Sequence, residues 1–175
     1  VDLDSERMNY ASVAAGRDGQ LVLATYSDHL VRLALDGTRE QIRPADGGGP
    51  IDLVATFDGN VVAWLSSRGG VDVKAMADPG RPARLALRDP GAIRIAIDGR
   101  GEHLAVAHPE DIRVFDLTTG EVERVLDIPG ARIREVALAR DGRRVAAGTI
   151  DGEVWVWDGD GVVSTFTTKG NIDAT

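Results

Sequence analysis

Few side chains in this sequence could carry chemistry. Histidine occurs three times, at His29, His103 and His108, and cysteine is absent. That leaves no thiolate nucleophile and no cysteine ligand for zinc. His103 and His108 flank a short strand pattern and its turn, so a metal shared between them would need a third ligand from another part of the chain. Paired acids occur at Glu110 with Asp111 and at Asp158 with Asp160. Acids in glycine-rich turns mostly serve turn geometry and solubility rather than proton transfer. The run Asp158-Gly159-Asp160-Gly161 superficially suggests calcium, but the twelfth position counted from Asp158 is Lys169, where the loop needs a bidentate Glu. No phosphate loop or dinucleotide fingerprint follows a strand and opens a helix. These residues predict no catalytic site, no metal and no cofactor.

The elements that would have to position any site are repeats. Asp18-Gly19, Asp58-Gly59, Arg100-Gly101 and Asp141-Gly142 place turn glycines 40, 42 and 41 residues apart. Around each, strand patterns alternate. The clearest copy has Ile133 to Leu138, the Asp141-Gly142 turn, Arg144 to Ala147, a second turn at Asp151-Gly152, Val154-Trp155-Val156-Trp157, a third turn, and Val162 to Phe166. Asp and Gly accept the positive φ that tight hairpins require, so each copy reads as four antiparallel strands. A period near 40 with strand patterns is the signature of propeller blades. Trp64 and Trp155 read as core or inter-blade packing.

Composition fits a soluble β-rich module. Hydrophobic residues make up 43 %, glycine numbers 21 and the net charge is −8. The negative balance disfavours nucleic acid and anionic membrane, both of which need a cationic face. A local basic patch at Arg140, Arg143 and Arg144 reads first as solvated turn residues. No apolar run approaches the ~20 residues that cross a bilayer, and the absence of cysteine points to a reducing, cytoplasmic setting. Abundant Arg, Ala, Asp and Gly with very few Lys suggest a GC-rich bacterial source.

The run from Asp141 to Asp158, ending Val154-Trp155-Val156-Trp157-Asp158, resembles the WD-repeat β-propellers, and Phe115-Asp116 resembles a softened form of the Trp-Asp pair. The resemblance spans roughly residues 8 to 168 and is clearest in the last two repeats. It implies an all-β fold of four WD-repeat-like, four-stranded antiparallel blades, half of a seven- or eight-bladed propeller. It also implies a structural hydrogen-bond group in which Thr149, Asp151 and Trp157 hold three of four places. The fourth, a histidine, has no counterpart in the loop from Asp127 to Arg132. Bacterial proteins resembling this one are often joined to kinases, ATPases or peptidases.

The expected layout is the end of a preceding blade at 1–7, blades at 8–50, 51–92, 93–132 and 133–168, and the start of a further blade or tail at 169–175. Four blades leave a ring unfinished. The remaining blades would come from a second chain, from a second copy forming an eight-bladed homodimer, or from sequence cut away. The function expected is noncatalytic recognition of a partner protein through rim loops, with Tyr26, Arg68, His108, Arg132 and Ile150 as contacts, since aromatic and Arg residues carry much interface energy. The competing reading is an enzymatic or ligand-binding propeller that uses its central channel.

Overall fold

The computed structural model describes residues 10–15, 21–25, 30–33, 36–42, 47–75, 85–159 and 161–167. They form four sheets of four antiparallel strands each. The first holds β1 (Tyr10–Ala15), β2 (Leu21–Thr25), β3 (Leu30–Leu33) and β4 (Arg39–Ile42), and the second β5 (Pro50–Ala55), β6 (Val61–Ser66), β7 (Gly70–Ala75) and β8 (Leu85–Arg88). The third holds β9 (Arg94–Ile97), β10 (His103–Ala107), β11 (Asp111–Asp116) and β12 (Val122–Asp127). The fourth holds β13 (Ile133–Leu138), β14 (Arg144–Thr149), β15 (Glu153–Asp158) and β16 (Gly161–Thr167). Within each sheet the strands lie in chain order. Their first strands β1, β5, β9 and β13 neighbour one another in succession, which makes the array a fan.

The turn glycines do what their spacing predicts. Gly59, Gly101 and Gly142 have φ of 71°, 68° and 74°, a region that a side chain resists and Gly enters freely. Gly19 lies outside the described residues. The repeat also extends to irregularities of register, because the pairing slips at the same place in three first strands: between Tyr10 and Ser12, Pro50 and Asp52, and Ile133 and Glu135. Such a bulge leaves one residue unpaired, which accounts for the exposure of Ile51. Asp116 closes its own turn by accepting from the Thr118 and Thr119 backbone N–H groups at 2.6 and 2.9 Å, and these bonds hold its carboxyl below the ordinary carboxylate value.

Alternation on each strand sends side chains to opposite faces, through which the second, third and fourth sheets pack in succession. Ala63, Leu65, Val71 and Val73 of the second sheet pack on Leu104, Val106 and Phe115 of the third. Ala105, Ala107, Ile112 and Val114 of the third pack on Val145, Ala147 and Trp157 of the fourth. Strand register sets Phe115 and Trp157 in equivalent places, opposite Leu104 and Val145. Trp64 is buried, and Trp155 stacks on Trp157 with ring centroids 6.2 Å apart.

The fourth sheet differs on its far face. By the same register, Ala146, Gly148, Val154 and Val156 stand where the third sheet has Ala105, Ala107, Ile112 and Val114. The third sheet's four are 0 % exposed, whereas the fourth sheet's are all half-buried. A Cβ added at Gly148 would meet nothing within 4 Å. An apolar face of the kind used between sheets is therefore uncovered among the described residues.

Asp52 on β5 ties two first strands together, accepting from Ile95 N–H at 2.9 Å. Burial pushes its carboxyl above the ordinary value, against the Ile95 and Leu53 N–H groups that hold it down. A carboxyl raised in the folded state binds its proton more tightly there than in the unfolded chain. Its contribution to stability is thus fully present below the unfolded value of 3.8 and is lost as pH rises through the folded one. Asp52→Asn removes that titration, so its stability relative to wild type should improve between about pH 4 and about pH 7. Paired urea titrations at the two pH values check the sign.

Candidate interaction rims

The turns between second and third strands, with the connections between sheets, make one rim, called the upper rim below. Backbone bonds join the two kinds of loop: Ser67 N–H donates to Gly49 C=O at 2.7 Å, and Ile150 N–H to Arg132 C=O at 2.9 Å. Arg132 and Ile150 are thereby brought side by side, both exposed, Ile150 at 43 %. Arg68 is exposed on the turn between β6 and β7, and Tyr26 lies outside the described residues.

His108 is a correction. It is 5 % exposed, too deep for a rim contact. It holds the place that Ser66 has in the second sheet and Thr149 in the fourth, the residue just before the turn. Ser66 Oγ accepts from Gly70 N–H at 2.9 Å and Thr149 Oγ1 from Glu153 N–H at 3.2 Å, so each hydroxyl closes its turn. The larger imidazole instead sits between carboxylates, with Nε2 2.8 Å from Asp89 and Nδ1 3.1 Å from Asp111. Arg113 joins the same group, 3.5 Å from Asp89 and 3.2 Å from Asp111. Sequence reading missed this cluster, whose one local signal is the acid three residues after the histidine.

The expected group of Thr149, Asp151 and Trp157 is also revised. Thr149 gives its hydroxyl to the turn, Asp151 is exposed, and Trp157 is packed in the core at 2 % exposure. Trp155 bonds to a neighbouring side chain, its Nε1 donating to Glu153 at 3.1 Å.

The opposite, lower rim carries the turns between first and second and between third and fourth strands. Asp98, Glu102 and His103 gather there with ligand atoms close enough for a metal. Asp98 is already engaged as a turn cap, accepting from Glu102 N–H and meeting His103 Nδ1, each at 2.9 Å. Of the acids considered for calcium, Asp158 pairs with Arg144 at 3.2 Å, and Asp160 lies outside the described residues.

Arg124 of β12 fastens the third sheet to the fourth here. Its guanidinium donates to Gly142 C=O at 2.6 Å and Arg143 C=O at 2.9 Å. Charge-assisted bonds are worth about 1.5–3 kcal/mol each. Arg124→Met keeps the stem and removes the donors, and should lower unfolding free energy by about 2 kcal/mol in denaturant titration.

No family model matches the chain. It is similar to WD repeat-containing protein 55 of Bos taurus, 24 % identical over 159 residues, which are 87 % of this chain and 41 % of that protein. The chain thus spans less than half the length of this curated relative. Among solved structures it is similar to a chain of the mitotic checkpoint complex, with a TM-score of 0.75 and 14 % identity over 96 % of this chain and 57 % of that one. The structural likeness shows the fold: four four-stranded antiparallel blades of a β-propeller. With the sequence likeness it supports a WD-repeat β-propeller family.

Proposed function

We propose that this chain is a noncatalytic protein-interaction module, a sensor or scaffold within a larger bacterial cytoplasmic protein. It recognises a partner protein through the upper rim and needs further blades to close its ring. The observation that carries the binding half is the exposed pair Arg132 and Ile150, held together by the bond between their loops. An exposed Ile and an exposed Arg on adjoining loops have the composition of an interface anchor. Channel chemistry has less support, because the polar groups of the first strands engage one another: Arg94 meets Glu135 at 3.6 Å and Asp52 accepts from Ile95.

Ring completion rests on the uncovered face of the fourth blade, and a further blade of the same kind fits it best. Its residues match those of the third blade that the fourth blade covers. Four blades matching 57 % of a propeller chain leave room for about three more.

A photo-crosslinking residue at position 150 tests the binding half. The partner protein should be captured there and not from position 125, on the outermost strand β12. Equal capture at both positions, or none at 150, would count against the upper rim.

A further inference from the structure

The lower rim holds a feature that runs against the charge of the molecule. In a chain of net charge −8, a groove of about 600 Å³ is lined by Arg100, Arg140, Arg143 and Arg144, with Asp141 and Asp158 as its acids. The first and second strands of blades three and four supply the turns that carry them. The period of the repeat thus stacks arginines from separate blades at one place.

The charges do not cancel. Asp158 is shared between Arg144 at 3.2 Å and Arg143 at 3.7 Å, and Asp141 accepts from the Arg143 backbone N–H at 3.1 Å. Among the described residues the Arg100 guanidinium has Glu102 as its ion-pair partner, at 3.8 Å on the exposed surface. Arg140 has no carboxylate at ion-pair distance among the described residues. Its guanidinium lies over the ring of Phe57, 5.5 Å from the centroid, and Phe57 is itself 67 % exposed. The position is built: Gly99 N–H donates to Arg140 C=O at 3.1 Å, and a Cβ on Gly99 would collide with the Arg140 side chain. Blades two, three and four therefore meet at this arginine.

We infer that this groove docks an acidic polypeptide segment, one whose clustered carboxylates or phosphoryl groups take up Arg100 and Arg140. Guanidinium forks bind such oxyanions bidentately. The groove's volume lies in the range of ligand sites and far exceeds a single ion, and the exposed Phe57 offers apolar contact beside the charge. The acidic remainder of the molecule repels a long polyanion such as nucleic acid. The site is separate from the upper rim and stands or falls without it.

Fluorescence anisotropy with the intact chain in its native assembly tests this. The probes are a labelled peptide with a glutamate cluster, the same peptide with phosphoserines, its glutamine version, and a single-stranded oligonucleotide. At least one anionic peptide should bind, more weakly as salt rises, and which one binds identifies the source of the oxyanions. Arg100→Gln with Arg140→Gln should weaken that binding roughly tenfold, with the thermal unfolding curve retained, while Arg132→Gln on the other rim leaves it unchanged. Equal binding of the glutamine peptide or the oligonucleotide would overturn the proposal. So would response to inorganic phosphate alone, or full binding by the double variant.

Discussion

Trp157→Ala should lower the unfolding free energy by about 3–5 kcal/mol, the usual cost of emptying a buried indole. Trp157 is among the largest fully enclosed side chains and packs where the third and fourth blades meet, in one cluster with Val114, Leu126, Ile128 and Val145. Its stacking partner Trp155 would lose contact as well. Domains of ordinary stability have about 5–15 kcal/mol in total, so this single change should detach or unfold the fourth blade. Urea titration followed by circular dichroism measures it. A cost below about 1 kcal/mol would mean that the two blades are not packed as described.

Gly69→Ala is expected to cost about 2–4 kcal/mol through the backbone rather than the core. Gly69 has φ +78°, and a Cβ there would lie 2.4 Å from Pro90 Cα and 2.8 Å from Asp89 C=O. Backbone atoms cannot swing aside as a long side chain can. The displaced residue would be Asp89, whose N–H donates to Gly69 C=O and whose carboxylate lies against buried His108. Gly159→Ala provides the comparison, because Gly159 has φ +63° and open space around it. That variant should show only the left-handed penalty of about 1 kcal/mol. Equal losses at the two sites would contradict the close approach of the β6–β7 turn to the loop at Asp89 and Pro90.

Much of the fold was legible because it is local and repeated. Turn glycines, alternating strands and the Phe115 and Trp157 pair each follow from short stretches whose geometry depends on near neighbours. His108 was misjudged for the opposite reason. A histidine before Pro109 in a turn looks exposed, and only strand register reveals that it replaces the hydroxyl residues Ser66 and Thr149. Arg124 gave no signal at all, since its partners are carbonyl groups on another blade. Arg100 and Arg140 could have been paired by the repeat period, which brings both to turns between first and second strands. Their convergence on one groove, and the seat of Arg140 over Phe57, depend on how the blades pack, which the sequence pattern does not encode.

The most direct test of the account is the mass of the purified chain in solution, measured by light scattering. The face of the fourth blade left uncovered among the described residues fits a further blade, so the 18.6 kDa chain taken by itself should form a homodimer, a stable complex with a polypeptide that supplies blades, or aggregates. A monodisperse monomer that unfolds cooperatively and binds no apolar dye would contradict it.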